Sequence, residues 1–167
     1  MAEQLLERRL ITWVPGAVSL VVVSVGAFAP RDRSAALAAM LLCLDAAVAA
    51  APSRELAVVF DLRHYSSANQ DLSTAARMVT ALNTAYVERL ATAVFLGAPA
   101  AFALVWKVVK SILSARTSNK IVFCPGLKEL HAHIAVAALP PGLGGSYTGT
   151  EAHMAAFCAS LPAMGGA

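Results

Sequence analysis

Apolar residues along the chain alternate between short β-branched runs and longer segments of helical period. Leu20-Val21-Val22-Val23-Ser24-Val25 is a run of strand formers. After Pro30, the alanine- and leucine-rich segment from Ser34 to Ala50 predicts a helix, broken at Pro52-Ser53. Leu56-Ala57-Val58-Val59-Phe60-Asp61 reads as a second strand, apolar throughout, as expected of a strand covered on both faces. Asp71 is placed to cap a helix running to about Glu88, with Leu72, Ala75, Val79, Leu82 and Tyr86 at helical spacing. Thr92 to Leu96 is a third strand that ends at Gly97-Ala98-Pro99, and Ala101 to Leu113 is a further helix. Lys120 to Cys124 is a fourth strand, stopped by Pro125-Gly126. Leu127 to Ala135 reads as a short helix, Leu139 to Gly149 is rich in turns, and Glu151 to Leu161 reads as one more helix. This β-α repetition predicts an α/β fold, a largely parallel sheet with helical covers and right-handed crossovers.

Composition sharpens the question. Hydrophobic residues make up 58% of the 167 positions and charged residues 14%, so the chain either meets a membrane or hides more apolar surface than a core requires. A membrane-spanning helix needs about 20 mostly apolar residues. Val14 to Pro30 is interrupted by Pro15, Gly16 and Gly26, Ala35 to Ala51 carries Asp45, and Leu90 to Val105 is split by Gly97-Ala98-Pro99. None is a clean span. Glu3, Glu7, Arg8 and Arg9 precede a valine run without a good cleavage site, which argues against a secretory signal. A net charge of +3 is too small to point to nucleic acid, though it does not oppose anionic lipid. Cys43, Cys124 and Cys158 are odd in number, scattered and set in apolar stretches, as for buried free thiols in a reducing compartment.

One helix stands apart. Phe102-Ala103-Leu104-Val105-Trp106-Lys107-Val108-Val109-Lys110-Ser111-Ile112-Leu113 is apolar nearly all round, with Lys107 and Lys110 on one narrow face. Such a helix is either buried on most sides or borders a cavity that an apolar ligand fills.

Five motifs follow one another around it. Val58-Val59-Phe60-Asp61-Leu62-Arg63-His64-Tyr65-Ser66 comes first, then Tyr86-Val87-Glu88-Arg89-Leu90 and Val94-Phe95-Leu96-Gly97-Ala98-Pro99. The Phe102–Leu113 segment leads to Thr117-Ser118-Asn119-Lys120-Ile121, and Leu139-Pro140-Pro141-Gly142-Leu143-Gly144-Gly145 closes the series. In this order and spacing the chain, from about Arg54 to Gly145, resembles the CRAL-TRIO family of lipid-binding domains, which includes phosphatidylinositol/phosphatidylcholine transfer proteins and retinaldehyde- and tocopherol-binding proteins. It departs at Val87, where the family has proline, at Gly97-Ala98, where asparagine precedes alanine, and at Ala115-Arg116, where Asp-Pro is common.

The resemblance implies that residues 1–150 form a lipid-binding domain and 151–167 a tail. The small helical domain that usually precedes the fold has only Met1 to Thr12 in its place. It implies a sheet floor with the Phe102–Leu113 helix as a gate over an apolar pocket, lined by Phe102, Val105, Trp106 and Val109. It carries a phosphoinositide headgroup role to Glu88, Arg89, Thr117 and Lys120: the ammonium neutralises phosphate, the hydroxyl donates, and the carboxylate accepts from inositol hydroxyls. Ser66, beside Ser67, marks a second polar patch that some members use for choline. The implied function is binding of a single lipid, a phosphatidylinositol, another phospholipid or another small lipophile, for transfer or presentation. No catalysis and no cofactor are implied, and the setting is cytoplasmic, with transient membrane contact. The alternative is a protein-interaction module with a collapsed pocket.

Catalytic readings find little support. His131 and His133, two apart on a helix, point to different faces and do not suit a shared metal. Cys124 sits within an apolar strand. Gly142-Leu143-Gly144-Gly145 follows Pro140-Pro141 instead of a strand, which excludes a dinucleotide loop.

Overall fold

The computed structural model describes residues 2–29 and 32–161. Residues 162–167 of the 151–167 tail, and Pro30 at the end of the valine-rich run, lie outside the described residues. The chain begins with α1 (Ala2–Glu7), β1 (Ile11–Val14) and β2 (Ser19–Val23). There follow α2 (Arg33–Ala50), β3 (Leu56–Asp61), α3 (Leu72–Thr84) and β4 (Leu90–Leu96). The chain continues through α4 (Ala103–Ile112), α5 (Ala115–Ser118), β5 (Ile121–Cys124), α6 (Leu127–His133) and α7 (Thr150–Ser160).

The five strands form one sheet in chain order. β2 to β5 are parallel, while β1 joins the edge antiparallel to β2, with Trp13 opposite Val21. Period-2 alternation divides the strand side chains between two cores. Val21, Val23, Val58, Phe60, Ala93 and Phe95 face α2, α3 and α4. Leu20, Val22, Ala57, Val59, Val94 and Leu96 face Leu130 of α6 and the turn-rich segment bearing Leu139 and Leu143. The architecture is therefore three-layered, as a parallel sheet requires.

Four elements differ from the sequence expectation, among them the short α5, which was not expected. α1 and β1 were not expected; Leu5, Leu6 and the whole of Ile11–Val14 are buried, and α7 packs over them. The helix expected to reach Glu88 ends at Thr84. There Tyr86 turns the chain, its carbonyl accepting from the Arg89 and Leu90 amides (2.9 and 2.8 Å).

Local chemistry explains where α3 and α4 start. Asp71 caps α3, its carboxylate accepting from the Thr74 amide at 3.0 Å and the Thr74 hydroxyl at 2.7 Å. Gly97 adopts φ +63°, and a Cβ there would stand 2.7 Å from Arg63 Cγ. The turn that redirects β4 into α4 therefore requires glycine. Among the described residues no helix is long and apolar enough to cross a membrane.

Candidate functional site

A cavity of about 60 Å³ opens between the C-terminal halves of β3 and β4 and the helices α3 and α4. Its floor is Phe60, Leu62 and Phe95, one wall is Met78 and Val79 of α3, and the other is Phe102, Val105 and Val109. Val105 and Val109 lie on one face of α4, and Phe102, in the turn just before it, continues the same three- and four-residue spacing. All three are at most 5% exposed, whereas Leu104 on the opposite side is 52% exposed.

Trp106, one residue round the helix from Val105, does not line the cavity. Its ring stands edge-on to Phe123 (4.7 Å between centroids) and Phe95 (5.6 Å). It thereby closes a ladder of stacked rings, Phe60–Phe95–Phe123, that crosses three strands at 5.1 and 5.2 Å. This ladder is the rigid floor on which α4 rests.

The apolar cavity has one polar end. Arg33, Tyr65, Asn69, Asp71 and Thr74 line it there. The Arg33 guanidinium donates to the Ala68 carbonyl at 2.9 Å and lies 3.8 Å from the Asp71 carboxylate. Burial would raise the Asp71 carboxyl, but the hydrogen bonds from Thr74 and the charge of Arg33 hold it below the ordinary range. Asn69 is committed to the backbone, donating to the Phe28 carbonyl at 2.8 Å and accepting from the Ser66 amide at 2.9 Å. Sequence reasoning missed this polar end, since Arg33 and the Tyr65–Thr74 stretch are distant in the chain.

The residues expected at a headgroup site lie elsewhere. Arg89 immediately precedes β4 and Lys120 immediately precedes β5. Phe95, on the cavity floor, is six residues further along than Arg89, about 20 Å at strand rise. Glu88, Arg89, Thr117 and Lys120 do share one neighbourhood. Lys120 Nζ donates to the Val87 carbonyl at 2.7 Å, and Arg116 donates to Glu88 at 2.7 Å. Because Lys120 binds a backbone carbonyl, valine at position 87 serves as well as proline. Thr117 is buried, its hydroxyl donating to Asn83 at 2.7 Å. Ser66 is not part of this group. It is exposed near the cavity's polar end, with its hydroxyl 3.1 Å from Asn69 Oδ1.

The other motif residues hold the frame. Asp61 binds Arg63 through both carboxylate oxygens (2.7 and 2.9 Å), and Arg63 reaches the Gly142 carbonyl at 3.0 Å. At Gly145 a Cβ would lie 1.9 Å from the Leu139 carbonyl oxygen, so the closing Gly-Gly answers a close backbone approach. His131 Nε2 lies 3.0 Å from the Leu143 carbonyl. Cys43 and Cys124 are buried and Cys158 is half-buried, all three as free thiols. Burial, and then Cys158 nearby, pushes the Cys43 thiol up, away from the reactive thiolate. Among the described residues no group of three His, Cys, Asp or Glu side chains could hold a metal.

Fold, motif order and helix-walled cavity together define a class of protein. The CRAL/TRIO domain profile matches residues 17–145, and the chain belongs to that family. Over 94 residues, 56% of this chain, it is 29% identical to the phosphatidylinositol transfer protein CSR1 of Eremothecium gossypii. The matched region is 22% of that relative's length. The solved structure of Sfh5 superposes with a TM-score of 0.64 at 12% identity, covering 75% of this chain and 52% of that one, a likeness of fold.

Proposed function

We propose that this domain carries a single lipophile in the cavity between α3, α4 and the sheet, for transfer between membranes or presentation to another protein. One observation supports this above the others: the sheet and helices enclose a space walled mostly by apolar side chains, with polar groups at one end only. The CSR1 relative is a phosphatidylinositol transfer protein, which is consistent with it.

At about 60 Å³ the cavity is well below the roughly 300–1,000 Å³ of ordinary ligand pockets. A lipid therefore enters only if α4 swings outward. That helix is suited to the movement. Its inner face is apolar, and its outer face carries exposed Leu104, Lys107 and Lys110, which can rest on an anionic bilayer while the inner face is open. Moving a lipid from bilayer to cavity exchanges one apolar surrounding for another, so the cost of exposing methylenes to water, roughly 0.8 kcal/mol each, is avoided.

For a phosphoinositide, the headgroup partners in this reading are Glu88, Arg89 and Lys120, with Thr117 able only to accept because its hydroxyl proton is given to Asn83. Lys120 spends one N–H on the Val87 carbonyl and keeps two for a phosphate oxygen. Ser66 is the corresponding choice for a choline lipid. The test is loading from vesicles of phosphatidylcholine with and without phosphatidylinositol, followed by native mass spectrometry. One bound lipid per chain is expected. Lys120→Ala is expected to lower phosphatidylinositol loading while a neutral lipophile still loads. Wild-type protein that takes up no lipid from either vesicle would leave the protein-interaction reading.

A further inference from the structure

The polar end of the cavity contains a group that the fold leaves unused. Tyr65 is 7% exposed and lines the cavity, with its ring edge-on to Phe102 at 5.6 Å. Its hydroxyl is buried and has no hydrogen-bond partner among the described residues. A phenol buried without a partner loses its bonds to water and gains none in return. Phenylalanine would fill the same volume without that loss, so the packing of the domain gives no reason for the oxygen.

The neighbouring groups define what would pair with it. Burial raises the phenol's pKa above its ordinary value, while Arg33 lowers it and Asp71 raises it, so it stands there as a neutral O–H donor. Arg33 and Asp71 compensate one another, which leaves this end without net charge. Arg33 is further occupied by the Ala68 carbonyl. A phosphate or carboxylate brought here would be desolvated beside Asp71 with its one cation already engaged. An uncharged oxygen suits the place better: it accepts from Tyr65, and a hydroxyl can in addition donate to the spare lone pairs of Asp71.

We infer that Tyr65, with Asp71 beside it, is the recognition point for an uncharged terminal oxygen, so that the cavity selects a slender lipophile ending in a hydroxyl. This rests on the carrier reading above and deepens it, since it names the chemistry of the buried end of the ligand. It is independent of Lys120 and its neighbours, which lie at the opposite ends of the strands.

The test compares dodecane, 1-dodecanol and dodecanoate as ligands of the wild-type protein and of Tyr65→Phe, by native mass spectrometry and calorimetric titration. Wild-type protein is expected to bind 1-dodecanol more tightly than either of the others, by on the order of tenfold over the alkane. Tyr65→Phe is expected to erase that preference, to keep alkane binding, and to melt no lower than wild type without ligand. The wild-type comparison does not depend on the variant's folding. Equal binding of all three compounds, or a preference for the carboxylate, overturns the assignment to Tyr65 while leaving a lipophile carrier in place. Failure of all three to bind overturns the carrier reading with it.

Discussion

The Tyr86 hydroxyl donates a 2.5 Å hydrogen bond to the Asp45 carboxylate, tying the middle of α2 to the turn that leads into β4. Burial, and then Asp45, pushes the phenol's pKa up, which keeps it a donor at any ordinary pH. The pair fixes the point at which the chain leaves α3. Tyr86→Phe keeps the buried ring and removes only this bond. Because Asp45 is exposed, the expected loss of stability is moderate, about 1 kcal/mol. Urea denaturation measures it, and an unchanged midpoint would show that the bond contributes nothing.

Acid should loosen the seam between α7 and β1. His153 is half-buried there, its ring edge-on to Trp13 at 4.1 Å and its Nε2 buried without a hydrogen-bond partner among the described residues. Burial lowers its pKa below the ordinary histidine value. The folded state therefore binds this proton less readily than the unfolded chain does. Its contribution to stability is complete above the unfolded value of about 6.5 and declines as pH falls through the folded one. Melting temperature should fall from pH 7 toward pH 5, and His153→Phe should flatten that part of the profile. A variant whose profile matches wild type would place the pH dependence elsewhere.

The cavity wall makes a sharper prediction. Val105→Trp sets an indole into a space of about 60 Å³, so lipid uptake should be abolished and overpacking should cost about 1–3 kcal/mol. Leu104→Trp, on the exposed side of the same helix, should carry no overpacking cost. If both variants take up a fluorescent phospholipid as wild type does, the ligand does not sit under α4.

Gly145→Ala should be among the most damaging single changes in the chain. The new methyl carbon would overlap the Leu139 carbonyl oxygen, and relief requires backbone movement in the segment that covers Leu96 and Leu130. The expected cost is about 3 kcal/mol or more. Gly142→Ala, which meets nothing within 4 Å, is the matched control in the same loop. Equal melting of the two variants would refute the close-approach account.

The parts of this fold that were legible in the sequence are those with a long enough signal. The runs around Val22, Val58, Val94 and Val122 are β-branched and bounded by helix-forming or turn-forming segments, and each forms a parallel strand. β1 has four residues, all buried, so it shows no alternation to read. The overlong reading of α3 has a specific cause. Tyr86 continues the spacing of Val79 and Leu82, but it is buried through its own contact with α2 after the helix has ended. In the cavity wall, Phe102, Val105 and Val109 were expected, together with Trp106, from the family resemblance and share one helical face. Trp106 is adjacent in sequence but is turned onto the edge strand. Arg33, Tyr65 and Asp71 could not be joined by any local pattern, because the β3–α3 crossover and the start of α2 meet only in three dimensions.

The order of the sheet has a consequence for how the chain is made. Each parallel strand adds beside the one before it, so β2 to β5 can assemble in the sequence in which a ribosome releases them. The seam at the other edge cannot. Arg9 pairs with Glu151, and the Trp13 amide meets Met154 Sδ at 3.4 Å, so the outer side of the first helix and strand is covered only when the last helix arrives. Until α7 emerges, Trp13 and the outer side of β1 are uncovered. In that interval a nascent chain presents an apolar edge strand, the feature most prone to pair with a neighbouring chain, and a chaperone that shields the first fifteen or so residues would protect the whole domain.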